Sequence, residues 1–126
     1  MNATKLHEFS DDELSAAASV DAKGMSVIFR GSAESSAVKQ LNELLTLVHD
    51  EALRRKVAEV VVDFRALEFM NSTCFKSFIS WIVQVRALAA ETQYKIRLLS
   101  DKSKHWQDRS LGALSSFAVG VVQVEG

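Results

Sequence analysis

The stretch that most constrains this chain runs from Val60 to Cys74, Val-Val-Val-Asp-Phe-Arg-Ala-Leu-Glu-Phe-Met-Asn-Ser-Thr-Cys. It begins as an uninterrupted apolar run, Val60-Val61-Val62, the composition of a strand covered on both faces. It ends in Asn71-Ser72-Thr73, each with a side-chain oxygen able to accept from the unpaired N–H groups that open a helix. Beyond them Phe75, Phe78, Ile79 and Ile82 recur at helical spacing. The pattern predicts a central strand over 57–64, a short loop, and an amphipathic helix over 72–91 whose first turn displays hydroxyls. A hydroxyl there lies at the positive end of the helix dipole, where an added phosphate is well accommodated.

The flanking sequence surrounds this stretch with alternating strands and helices. Residues 1–12 carry mixed charge without a period and read as an N-terminal extension, with Phe9 as its only large aromatic. Leu14 to Val20 alternates weakly, and Asp21-Ala22-Lys23-Gly24 is a turn. Met25, Val27 and Phe29 then share one face of a second strand, so the two strands form an antiparallel hairpin. Ser35 or Ser36 opens a helix whose apolar face holds Ala37, Leu41, Leu44, Leu45, Val48 and Ala52. Arg54, Arg55 and Lys56 at its end read as a solvated, dipole-compatible terminus. A third apolar strand covers 94–99, with Ile96, Leu98 and Leu99 inward. A short helix containing Trp106 and Leu111 stops at Gly112, and a last strand covers 119–124. Strands separated by helices imply a largely parallel sheet with an antiparallel edge. The fold class is therefore α/β, a single domain over 1–126 with three helices and a mixed, mostly parallel sheet of four to five strands.

Composition narrows the class of function. At 126 residues the chain supports one core and not two. Fifteen basic against sixteen acidic residues give a net charge of −1, which favours neither nucleic acid nor an anionic membrane surface. The single cysteine excludes an internal disulfide and suits a reducing cytoplasm. No cationic, apolar secretory leader opens the chain, and the most apolar helix is interrupted by Lys76, Ser80, Gln84 and Arg86. His7, His49 and His105 are scattered, no glycine-rich phosphate loop occurs, and neither a metal nor another cofactor is expected.

Asp63 to Cys74 resembles, without a gap, the signature of STAS domains, the family of bacterial anti-sigma-factor antagonists. Asp63, Leu67, Phe69, Met70, Asn71, Ser72 and Thr73 fall on matching or near-matching positions of Asp-Leu-x-x-Val-x-Phe-Ile-Asp-Ser-Ser-Gly. Gly31, followed by Ser32-Ala33-Glu34, resembles the family's Gly-Glu-Leu-Asp corner, and the likeness extends over roughly residues 12–125. Two positions depart: Asn71 replaces the family's acid before the phospho-serine, and Cys74 replaces the glycine after the second hydroxyl.

The resemblance implies a non-enzymatic interaction switch. Ser72 takes the position of the family's phospho-acceptor, with Thr73 its neighbour in that role, and Glu34, Asn71 and Lys76 complete the implied partner-binding set. The partners implied are an anti-sigma-type serine kinase or a scaffold protein, and a serine phosphatase. Some members act without phosphorylation in signalling scaffolds or lipid transporters, which is the alternative that Asn71 keeps open. From the residues alone, Ser72 also reads as a helix cap and Glu34 as a charged helix start. Cys74, in a first helical turn where the dipole lowers a thiol pKa, reads as structural or as the centre of a small thiol enzyme. Trp81, with Phe78, Val85 and Leu88, reads as core or as a patch for a partner or a second copy in a homodimer.

Overall fold

The computed structural model describes residues 4–11 and 13–126. The chain runs β1 (Thr4–Ser10), β2 (Leu14–Asp21), β3 (Gly24–Ala33), a 3-10 turn (Ser35–Ala37) and α1 (Val38–Arg55). It continues through β4 (Glu59–Met70), α2 (Ser72–Arg86), β5 (Lys95–Leu99), α3 (His105–Phe117) and β6 (Val122–Glu125). The strands lie side by side in chain order in one sheet; β1, β2 and β3 are antiparallel, and β3 to β6 are parallel.

The hairpin between β2 and β3 forms as its residues demand. The Asp21 carboxylate accepts from the N–H groups of Lys23 (2.8 Å) and Gly24 (3.2 Å), closing the turn. Gly24 has a φ of 143°, and a Cβ there would stand 2.8 Å from the Glu59 carbonyl oxygen, so only glycine fits. The sheet has six strands because residues 4–10, expected as part of an extension, pair with β2 as β1. Phe9 supplies the anchor, packing into the core edge. That strand lacks alternation because its register slips between Lys5 and His7, a bulge that its side-chain pattern does not signal.

Up to the first irregularity of β4 the buried strand residues alternate: Leu14, Ala16 and Ala18; Met25, Val27 and Phe29; Val60, Val62 and Phe64; Ile96 and Leu98. With the inner faces of the helices they form one contiguous core. Phe29 stacks on Phe64 at 5.6 Å, and Phe78 of α2 meets Phe64 edge-on at 5.2 Å. The opposite parity, including Ile28, Val61, Asp63, Arg97 and Leu99, stays partly exposed. The expectation of a strand buried on both faces is thus corrected: β4 is interior, but Val61 faces outward, and so does Leu99. Consecutive valines satisfied the β preference of an interior strand without a second covering layer. Phe78, Trp81 and Val85 belong to the core, while Leu88 lies past the end of α2 and is only partly buried.

Helix boundaries shift from the sequence reading. α2 stops at Arg86, where Gln93 turns its amide back to the Arg86 (3.2 Å) and Leu88 (3.1 Å) carbonyls. α3 runs through Gly112 to Phe117, so that glycine terminates nothing. Fully buried Gln107 of α3 donates to the carbonyls of Phe64 (2.6 Å) and Leu67 (3.0 Å), while its own carbonyl accepts from Asp101 N–H (2.8 Å). Those acceptors flank the place where β4 loses register with β3, so one side chain satisfies carbonyls that the irregular ladder leaves over.

Candidate functional site

β3 and β4 are parallel, so their ends release the 3-10 turn and α2 at the same edge of the sheet. β4 reaches that edge through two register shifts, one between Ile28 and Arg30 of its partner and one between Gly31 and Ser32. Such bulges re-aim side chains. Before the second, Leu67 is buried at 1% exposed; after it Phe69, two residues on, is 43% exposed. An aromatic ring thus stands in solvent next to the start of α2.

Asn71 is the N-cap of α2, and its backbone is extended there. Its Oδ1 accepts from Cys74 N–H at 2.9 Å, which leaves Nδ2 to donate to Ser35 Oγ at 2.8 Å. Asn71 N–H donates to the Ala33 carbonyl at 2.9 Å, and the Cys74 thiol donates to the Glu34 carbonyl at 3.3 Å. Four hydrogen bonds therefore bind the entrance of α2 to itself and to the end of β3. The cap is Asn71 rather than Ser72, because only the residue before the first helical turn can aim an oxygen at the third N–H. Ser72 and Thr73 occupy the first turn with exposed side chains, and no acidic residue shares that turn.

Among the residues singled out by sequence, Glu34, Asn71, Ser72, Thr73 and Cys74 come together at this corner. Lys76 is exposed one turn along α2, and it makes no ion pair among the described residues. Ser35 and Phe69 were missed as contributors. Ser35 was visible only as a helix start, and the outward turn of Phe69 depends on a bulge between strands distant in sequence.

Cys74 lies in the corner but beneath it, at 0% exposed. Burial pushes its thiol above the ordinary value, and the charge of Glu34 pushes the same way. The structural reading of Cys74 fits this burial, and the lowered pKa that a helix start would favour is not what its surroundings produce. His49 is engaged with Tyr94, and no histidine hydrogen-bonds to Cys74 among the described residues. A thiol enzyme centred here would lack both an accessible thiolate and a base. No group of three or more His, Cys, Asp and Glu gathers at metal-binding distance among the described residues. No helix among them is long and apolar enough to cross a membrane.

The geometry is that of a mixed α/β domain with a hydroxyl-bearing corner at the edge of its sheet. Among solved structures, the crystal structure of an anti-sigma factor antagonist from Mycobacterium paratuberculosis has this fold. It superposes with a TM-score of 0.62 over 87% of this chain and 86% of that one, at 14% sequence identity. No family model matches the sequence. No curated protein sequence matches it either.

Proposed function

We propose that the chain is a non-enzymatic interaction module of bacterial, cytoplasmic signalling, acting in the manner of an anti-sigma factor antagonist. Its docking surface is the corner formed by Glu34, Ser35, Phe69, Asn71, Ser72, Thr73 and Lys76. The observation that carries this reading is the exposed hydroxyl pair Ser72–Thr73 on a rigidly capped helix start, beside a solvent-exposed phenylalanine. Aromatics set in a polar surround anchor protein interfaces. The shared fold with an anti-sigma factor antagonist supports the same reading.

Regulation follows from the position of Ser72. A phosphate added by an anti-sigma-type serine kinase brings nearly two negative charges and three acceptor oxygens. The positive end of the helix dipole tolerates them, so the folded domain is expected to keep its stability within about 1 kcal/mol. A docked partner must instead bury that charge, at several kcal/mol without compensating cations, and each 1.4 kcal/mol is about a tenfold loss of affinity. A serine phosphatase resets the surface. Thr73 is the alternative acceptor.

Titration of wild type, Ser72→Ala and Ser72→Asp against an anti-sigma-type kinase is the test. Ser72→Asp is expected to fold normally and bind at least about tenfold more weakly, while Ser72→Ala binds like unmodified protein and accepts no phosphate. Equal affinities for all three would remove the switch. A second reading, a subunit that docks without phosphorylation in a scaffold or transporter, is favoured by the neutral Asn71, whose amide already locks the corner onto Ser35. Intact-mass measurement before and after phosphatase treatment of the protein from its own cells separates the two.

A further inference from the structure

Away from that corner, Tyr94 is 1% exposed and its hydroxyl sits between ring nitrogens of two helices. Trp81 Nε1–H of α2 donates to it at 2.8 Å, and His49 Nδ1 of α1 lies 2.7 Å from it. An indole nitrogen only donates, so the phenol oxygen accepts there and its single proton is directed at His49. The arrangement that gives that buried proton an acceptor is the one in which Nδ1 carries a lone pair, with the imidazole neutral and its proton on Nε2.

We propose that His49, Tyr94 and Trp81 form a proton-sensitive latch that holds α1 against α2 and the start of β5, closed while His49 is neutral and released when Nδ1 is protonated. A proton on Nδ1 sets a second donor against the phenol, leaves the Tyr94 proton without its acceptor, and puts a charge in a half-buried place. Burial accordingly holds the His49 pKa below its ordinary value, with Asp50 opposing. Among the charged groups on the elements that meet here, Glu51, Arg86 and Lys95 are engaged elsewhere, while Asp50 and Glu91 make no ion pair among the described residues. Asp50 shares the helix of His49, and Glu51 beside it is held by Arg54 and Arg55. On α2, Arg86 is turned to the ring and carbonyl of Phe117. Ahead of β5, Glu91 lines a separate cleft with Lys56, and Lys95 donates to the Gly120 carbonyl. No carboxylate pairs with His49 among the described residues, so Nδ1 of a charged imidazole has only the phenol oxygen to donate to, and the buried Tyr94 proton loses its acceptor. The latch joins the two helices downstream of the Ser35 and Ser72 corner, and it stands whether or not Ser72 is modified.

The test is NMR of the full chain across pH, following the His49 ring nitrogens and both indole N–H groups. The expected result is the Nε2–H tautomer at neutral pH and a His49 midpoint below the free-imidazole value of about 6.5. Exchange of the Trp81 indole N–H, corrected for its intrinsic pH dependence, should rise by about fivefold or more as His49 is protonated. Trp106, whose indole N–H meets no acceptor among the described residues, serves as the internal control. His49→Gln should abolish the step. An Nδ1–H tautomer at neutral pH, or a Trp81 indole that ignores the titration of His49, would overturn the proposal from wild type alone, even if the variant failed to fold.

Discussion

Replacing Asn71 tests the corner most directly, because one side chain performs two separable tasks there. Asn71→Ala removes the cap oxygen from Cys74 N–H, a loss of about 1 kcal/mol for a helix N-cap. It also removes the amide that reaches Ser35; at an exposed corner that bond contributes about 0.5 kcal/mol. The sum, about 1.5 kcal/mol, corresponds to a fall in Tm of roughly 6 °C for a domain of this size. Asn71→Asp behaves differently. It keeps an oxygen for Cys74 N–H, places a negative charge at the positive helix end, and lets the Ser35 hydroxyl rotate to donate. Its stability should therefore lie within about 0.5 kcal/mol of wild type. Urea and thermal unfolding by circular dichroism measure both, and a cycle with Ser35→Ala isolates the cross-loop bond. If the alanine and aspartate variants lost equal stability, or Asn71→Ala unfolded with wild type, the account of the corner would be wrong.

Cys74 should resist alkylation in the native protein and react only as fast as the chain unfolds, since its thiol is buried with a raised pKa; fast native-state labelling would contradict the geometry. Gly31→Ala should destabilise by more than about 2 kcal/mol, because Gly31 has a φ of 97° and a Cβ would stand 2.0 Å from the Glu13 carbonyl oxygen. An unchanged denaturation midpoint would refute that. The Glu51 carboxyl is drawn down to about 2 by hydrogen bonds from Arg54 and Arg55. A depressed carboxylate stabilises fully above its ordinary value and loses that stabilisation as pH falls toward the folded one. Wild type should therefore exceed Glu51→Gln in stability at pH above about 4.5 and converge with it near pH 2, as acid-unfolding curves of the two would show.

The sequence by itself determined the alternation of strands and helices, because period-2 and period-3.6 apolar patterns are local consequences of backbone geometry. The β2–β3 hairpin followed from Asp21 and Gly24, the α1 stripe from Leu41 to Ala52, and the exposed hydroxyls of α2 from their place after β4. Resemblance to STAS domains at Asp63–Cys74 led to the fold that superposition bears out. Tertiary structure alone decided what depends on partners distant along the chain. Whether Val61 is covered is settled by the lack, among the described residues, of a second layer on that face, which its own composition does not encode. The strand at Thr4–Ser10 exists because β2 offers it a ladder, despite a bulge that hides its period. Phe69 faces outward because β4 slips against β3. Asn71 became a clasp only when parallel pairing brought Ser35, thirty-six residues away in sequence, within 2.8 Å. His49, one of three scattered histidines in the sequence, found its hydrogen-bond partner in a phenol forty-five positions away. Hydrogen-bond partners at such separations are chosen by topology, and side-chain periodicity carries no record of them.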